Sequence, residues 1–86
     1  MPTAPDNHDA HDYAERIRER LPRRLQELRE AAGLSKYGLA GTSGISREYI
    51  GRVERGDANP ALIVMAQMSY GIGLTLKQFV ERLEDG

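Results

Sequence analysis

The apolar positions of this chain fall into stripes at helical spacing, separated by glycine, proline and small polar residues. The first stripe has the three- and four-residue spacing of one helix face and comprises Tyr13, Ile17, Leu21, Leu25, Leu28 and Ala32. Pro22 interrupts it, and a proline removes one backbone hydrogen bond from a helix interior. Because the stripe stays in phase across Pro22, the pattern favours one kinked helix over 12–32; the alternative is a separate helix that ends near Leu21. With no alternating runs typical of strands, the sequence predicts an all-α fold.

Two short helices joined by a tight turn are predicted next. Ser35 is expected to cap the second helix, and Gly44 is the residue best able to take the left-handed conformation that a sharp exit needs. Ser46 then caps a third helix over 47–55, whose inward face comprises Tyr49, Ile50 and Val53. Two helices joined in this way form a helix-turn-helix, here predicted over 36–55.

The last third of the chain predicts two further helices. Asn59 and Pro60 are the residue types favoured at the cap and the first position of a helix. The helix that follows is expected over 61–71, with Leu62, Met65, Ala66 and either Met68 or Ser69 buried. Thr75 and Gln78 have the spacing of a capping box, which predicts a fifth helix over 75–83.

Composition and charge narrow the class of protein. Eighty-six residues, 40% of them apolar, can form one small domain with a modest core. The absence of Cys excludes a disulfide framework, and no apolar run approaches the ~20 residues of a membrane span, so we expect a cytoplasmic protein with no membrane partner. The net charge of −1 hides an uneven distribution: residues 1–15 carry four acidic and no basic side chains, whereas residues 16–60 carry ten basic and six acidic ones. Such asymmetry is typical of a surface that faces nucleic acid beside an acidic tail.

The N-terminal residues have little to bury. Residues 1–11 contain two prolines and are predicted to form a disordered acidic tail, with 12–86 as the single folded domain and 12–21 as an extension of the first helix. His8 and His11 are interpreted as solvated tail residues rather than metal ligands. Two tail histidines, no Cys and no clustered carboxylates leave no plausible catalytic set and no cofactor or metal site, which argues against an enzyme.

Several strings of this chain match one known pattern in a single register. They are LQELREAAGLSK at 25–36, LA at 39–40, GIS at 44–46, YIGRVERG at 49–56, NPAL at 59–62 and GLTLKQFV at 73–80. They resemble the Cro/CI-type (XRE) helix-turn-helix family of bacterial and phage DNA-binding regulators, and REYIGRVERGDANP resembles the controllers of restriction–modification systems. The resemblance implies a compact five-helix, lambda-repressor-like domain that binds double-stranded DNA in the cytoplasm, on the nucleoid.

The resemblance also assigns roles to side chains of the motif. The positions that read bases in the family are held here by Ser46, Arg47, Glu48, Gly51 and Arg52. Because Arg can bond guanine and Glu can accept from cytosine, this set is suited to reading G·C pairs. The basic side chains predicted to contact phosphate are Lys36, Arg55, Arg23 and Arg24, each with plain solvation as the alternative. Arg29 and Glu54 match the family's structural ion pair, which is expected to hold the third helix at its angle.

The outer face of the fourth helix departs from the family pattern, because it is apolar where the family commonly has polar residues. Ile63, Gln67 and Tyr70 lie on one stripe, and together with Val64 they predict an interface, either of a homodimer or with a protein partner. The alternative is contact with the chain's own N-terminal extension. Two functions therefore remain: a homodimeric, sequence-specific DNA-binding transcriptional regulator, or a protein-interaction module such as an antitoxin.

Overall fold

The computed structural model describes residues 7–85, which form five α-helices and no strand. The helices are α1 (Asn7–Ala31), α2 (Lys36–Ser43), α3 (Arg47–Glu54), α4 (Leu62–Ile72) and α5 (Leu76–Asp85). The all-α prediction is confirmed, and α3, α4 and α5 begin and end within two residues of the predicted positions. Within this part of the chain, no helix is both long enough and apolar enough to cross a bilayer.

The first helix begins at Asn7 rather than at residue 12. The predicted disordered tail is therefore wrong for residues 7–11, and residues 1–6 lie outside the described part of the chain. His8 Nε2 lies 3.5 Å from Asp12 Oδ2, one turn along, and side-chain pairs at this spacing favour a helix. The helix continues through Pro22 as one element, as the in-phase apolar stripe predicts.

Each helix contributes to a single apolar core. The buried apolar side chains are Leu21, Leu25, Leu39, Ile50, Val53, Met68, Phe79 and Leu83. Met68 and Ser69 are both buried, but the prediction for Leu62 is wrong, because its side chain is 65% exposed. The six positions between Leu62 and Met68 place these two side chains about 120° apart around the helix, so that only Met68 faces the core.

The start of α4 also differs from the prediction. Ala61, rather than Asn59, occupies the N-cap position, and Pro60 is buried in the loop instead of opening the helix. Because Ala has no polar side chain, this helix begins without the cap that its sequence suggested. At the start of α5 the capping box is as predicted: the Gln78 N–H donates to Thr75 Oγ1 at 3.1 Å, and the Thr75 N–H donates to Gln78 Oε1 at 2.9 Å.

The middle of α1 packs against the end of α5. Arg20 Nη1 donates to the carbonyls of Leu83 at 3.1 Å and Glu84 at 2.9 Å, and Arg24 Nε donates to the carbonyl of Arg82 at 2.9 Å. The last carbonyls of a helix have no partner within it, and cationic donors complement its negative end. The extension therefore caps α5, and the alternative in which it covers the outer face of α4 is wrong.

The second and fourth helices approach each other closely at Gly71. A Cβ atom at this position would lie 2.8 Å from Leu39 Cδ1 and 2.9 Å from both Ser43 Cβ and Thr42 Oγ1. Thr42 Oγ1 also donates to the Gly71 carbonyl at 3.0 Å. Glycine is therefore needed here for space, although the residue lies within a helix.

Gly71→Ala is expected to lower the free energy of unfolding by about 1–3 kcal/mol, because overpacking outweighs the up to ~1 kcal/mol that Ala gains over Gly in a helix. Urea unfolding followed by circular dichroism measures this. Gly41→Ala is the matched control, since nothing lies within 4 Å of a Cβ added there. We expect that control to be neutral or stabilising. A Gly71→Ala protein as stable as the unmodified chain would contradict the close approach of α2 and α4.

Candidate nucleic-acid interface

The turn between α2 and α3 is held by short polar contacts. Gly44 takes the left-handed conformation, with φ 77°, and its N–H donates to the Ala40 carbonyl at 3.0 Å. Ser46 caps α3, where its Oγ accepts from the Tyr49 N–H at 3.1 Å. Gln67 on α4 donates to the Ser43 carbonyl at 3.3 Å. These contacts set the direction in which α3 leaves the turn.

Arg29 and Glu54 join the first helix to the third by a two-pronged ion pair. Arg29 Nε donates to Glu54 Oε2 at 2.7 Å, and Arg29 Nη2 donates to Glu54 Oε1 at 3.0 Å. The two side chains are only 8% and 5% exposed. Arg29 Nη1 also donates to the Leu34 carbonyl at 2.9 Å, so that the guanidinium is bonded on three sides. Hydrogen bonding to Glu54 raises the pKa of Arg29, which keeps it charged at any working pH.

The outward face of α3 is basic and lines a shallow depression of about 460 Å³. The residues that line it are Lys36, Arg47, Glu48, Gly51, Arg52 and Arg55. Four of them carry a positive charge and one a negative charge. Arg47 and Glu48 are exposed in the first turn of α3, with Arg47 Nη2 4.0 Å from Glu48 Oε1. The structure thus brings together residues from two predicted groups, the base-reading positions and the phosphate contacts.

Arg52 is held at the edge of this surface by two contacts. Its guanidinium lies over the Tyr49 ring, 5.8 Å from the centroid, and its Nη2 donates to the Asp57 carbonyl at 3.2 Å. Asp57 also places its carboxylate 3.5 Å from Arg55 Nε. Asp57 was not among the residues predicted to form this surface. Its position just after a basic helix end was the available signal, because a short loop residue there can reach back to both arginines.

Not every predicted residue joins this surface. Gly51 is buried, although it was assigned to a base-reading position, because the Arg55 side chain covers it. Arg24 is already bonded to the Arg82 carbonyl and to Glu27 Oε1, at 2.9 and 3.3 Å. Arg23 lies in a separate groove. Arg23 and Arg24 therefore lie apart from the depression on α3, and their contact with phosphate stays a prediction.

The outer face of α4 exposes large apolar side chains. Ile63 is 71% exposed and Tyr70 is 80% exposed. Val64 is only partly exposed and packs on the core, and Gln67 is the residue that bonds the turn of the motif. The large apolar side chains exposed at the predicted interface are therefore Ile63 and Tyr70, and Leu62 is a further exposed apolar residue of the same helix. Elsewhere in residues 7–85, no group of three His, Asp or Glu side chains is placed to hold a metal ion.

The chain resembles known regulators both in sequence and in structure. The HTH_3 family, described as helix-turn-helix, matches residues 25–79. The HTH-type transcriptional regulator DdrOP3 of Deinococcus deserti is 35% identical over 65 residues, which cover 76% of this chain and 50% of that protein. The chain thus spans about half the length of that relative. The control protein C.MunI of a Mycoplasma species is 30% identical over 69 residues, covering 79% of this chain and 93% of that protein.

A solved structure shares the arrangement of the helices. The restriction–modification controller protein C.AhdI of Aeromonas hydrophila superposes with a TM-score of 0.67 at 36% identity, covering 78% of this chain and 98% of that one. The match over residues 25–79 includes the whole motif of α2 and α3 and the Arg29–Glu54 pair that supports it. The chain therefore belongs to the HTH_3 family of XRE-type helix-turn-helix proteins.

Proposed function

We propose that this protein is a sequence-specific, double-stranded DNA-binding transcriptional regulator that acts as a homodimer, with α3 as its recognition helix. The observation that carries the proposal is the basic depression on the outward face of α3, which four cationic side chains line. A major groove about 12 Å wide accepts one helix, whose N-terminal residues meet the base edges. On this proposal the protein acts in the cytoplasm of a bacterium or of a phage-infected cell, on nucleoid DNA.

The side chains of this surface are suited to different parts of the duplex. Arg47 and Arg52 present guanidinium groups that can bond guanine, while the Glu48 carboxylate can accept from cytosine. Lys36, in the first turn of α2, supplies a cation beside backbone N–H groups that point out of the helix, an arrangement suited to a phosphate. Arg55 adds a further cation to the same depression. The Ser46 hydroxyl lies at the entry of the recognition helix, where it caps the backbone.

Dimerisation through the outer face of α4 would give the DNA-binding protein two recognition helices. Ile63 and Tyr70 lie on one stripe and are largely exposed, so burying them against a second copy removes apolar surface from water. A two-fold dimer presents its recognition helices to half-sites about 34 Å apart, which predicts a roughly palindromic operator. The similarity to two proteins named as controllers makes a restriction–modification system the first place to search for this operator.

The proposal is tested by selecting bound duplexes from a random pool at two salt concentrations. We expect inverted half-sites about one helical turn apart, with an affinity that falls steeply as salt rises. Arg47→Ala should weaken binding to the selected site by about tenfold or more and relax the preference at one base pair in each half-site, because a bidentate contact to guanine is lost.

Arg82→Ala is the control for this substitution, because it removes an exposed arginine of α5 that does not line the depression on α3. It should leave the base preference intact. No enriched sequence at low salt would instead favour the second function, a protein-interaction module whose partner covers Ile63 and Tyr70. A protein that co-purifies with the chain, and that is lost with Ile63→Lys, would support that second function.

A further inference from the structure

Gly51 lies within the recognition helix without a backbone reason for being glycine. The glycines with positive φ are Gly33, Gly44, Gly56 and Gly73, and Gly51 has ordinary helical geometry. Glycine is among the least favourable residues in a helix interior, and α3 has only eight residues, so one glycine lowers the helix propensity of the whole element noticeably. A reason for glycine here must therefore come from what lies beside it.

The space beside Gly51 is filled by the guanidinium of Arg55, one turn further along. A Cβ atom on Gly51 would lie 3.1 Å from Arg55 Nη1 and 4.0 Å from Arg55 Cζ. Gly51 is buried for this reason, although it lies on the outward face of the helix. Side chains of a helix lean toward its N-terminus, and without a Cβ at Gly51 the Arg55 side chain can lie flat along that direction.

Asp57 contacts the same arginine at its Nε atom. Its carboxylate lies 3.5 Å from Arg55 Nε, and its carbonyl accepts a hydrogen bond from Arg52 Nη2 at 3.2 Å. Both partners are exposed, so this ion pair by itself adds little to the stability of the fold. The ion pair restricts the direction of Arg55, and the carbonyl contact restricts the direction of Arg52.

We propose that Gly51 and Asp57 are positioning residues for Arg55: together they seat its guanidinium across the outward face of α3, beside Lys36 and Arg47. This inference rests on the proposed DNA-binding function. A guanidinium held in place before binding loses less side-chain freedom when it meets a DNA acceptor, and its fork is already oriented. Gly51 then contributes to recognition by leaving room for an arginine rather than by touching a base.

The test is a double-mutant cycle between Gly51 and Arg55, with affinity for the selected operator measured by fluorescence anisotropy. Gly51→Ala is expected to weaken binding by about tenfold, the size of one charge-assisted hydrogen bond. In an Arg55→Ala background, the same Gly51→Ala change should leave the affinity unchanged, because the residue it acts through is gone. Equal losses in both backgrounds would overturn the inference, since the added methyl would then be obstructing DNA directly. An unaltered affinity of the Gly51→Ala single variant would overturn it as well.

Operator binding by Asp57→Asn is a second, independent test of the proposal. Removing a negative charge beside DNA should by itself strengthen binding to any duplex. Weaker operator binding by Asp57→Asn, despite the more positive charge, is therefore expected only if the Asp57 carboxylate positions Arg55. Stronger or unchanged operator binding by this variant would contradict that role.

Two measurements distinguish a change in the position of Arg55 from a loss of folding stability and from a loss of DNA binding. Gly51→Ala should leave the Tm unchanged or raise it, like the control Gly41→Ala, which should not alter operator affinity. In the free protein, the NMR signal of the Arg55 Nε–H group should shift with Gly51→Ala and with Asp57→Asn, but not with Gly41→Ala. A signal unmoved by Gly51→Ala would overturn the inference even if the unmodified protein binds its operator. Failure of the unmodified protein to bind any duplex would overturn the proposed function, and the inference with it.

Discussion

Replacing Glu54 by Gln is expected to lower the free energy of unfolding by about 3–5 kcal/mol, which is a large part of the total stability of a small domain. The reason is the guanidinium that remains. Arg29 is buried and keeps its charge, while the amide that replaces the carboxylate can accept only part of what Glu54 accepted through two bonds of 2.7 and 3.0 Å. At roughly 4–8 °C per kcal/mol for a domain of this size, the Tm should fall by more than about 10 °C.

Differential scanning calorimetry of matched variants checks this expectation. Glu15→Gln removes the carboxylate of the Arg18–Glu15 pair, which is as short at 2.6 Å but exposed, so the Tm should change little. The double variant Arg29→Met with Glu54→Leu removes both charges together and should recover much of the stability lost in Glu54→Gln. If Glu54→Gln melted at the temperature of the unmodified chain, the buried pair would not be what holds α3 to α1.

Ile63→Lys and, separately, Tyr70→Glu are each expected to convert a dimer into a monomer. In an isologous interface each change brings two like charges together near the two-fold axis, inside a surface that the dimer would otherwise keep dry. Loss of the second recognition helix should weaken binding to the two-half-site operator by about 10²-fold or more, because the second contact no longer benefits from linkage to the first.

Analytical ultracentrifugation and operator binding measure the two consequences. Binding to an isolated half-site should be unaffected, which separates loss of the dimer from damage to α3. Gln26→Lys, an added charge at an exposed position of α1, is the control and should leave both readouts unchanged. A dimer that survives both substitutions would place its interface elsewhere, and an unmodified chain that sediments as a monomer would remove the homodimer from the proposal.

Local rules on the sequence account for much of the fold. Apolar stripes at helical spacing located the helices, and side chains that bond their own backbone located several of the ends, as at Ser35, Ser46 and the Thr75–Gln78 box. These features are predictable because each depends on residues only a few positions apart. The predictions failed at Asn59-Pro60, because Pro60 is buried in the loop before the helix, and at Leu62, which lies about 120° from Met68 around α4.

The candidate site also has features that the sequence predicts and features that it does not. That Arg47, Glu48 and Arg52 face outward follows from the phase of one short helix, whose opposite face must bury Ile50 and Val53. Long side chains were less predictable, because an arginine can reach acceptors on several neighbouring elements. No pattern of residue types along the chain therefore predicts that Arg55 buries Gly51. The same holds for the hydrogen bond from Arg24 to a carbonyl of α5.

By itself the sequence determined that this protein is an all-α, helix-turn-helix chain with a basic outward face on α3, because periodicity, caps and charge order are local properties. Only the tertiary structure decided that α1 begins at Asn7, that its Arg20 and Arg24 cap α5, that Ile63 and Tyr70 stay exposed, and that Arg55 lies across Gly51. Each of these outcomes depends on which orphan carbonyl, apolar surface or open space a side chain meets after the helices have packed. Which of these a side chain meets depends on contacts across the whole domain, not on its neighbours in the sequence.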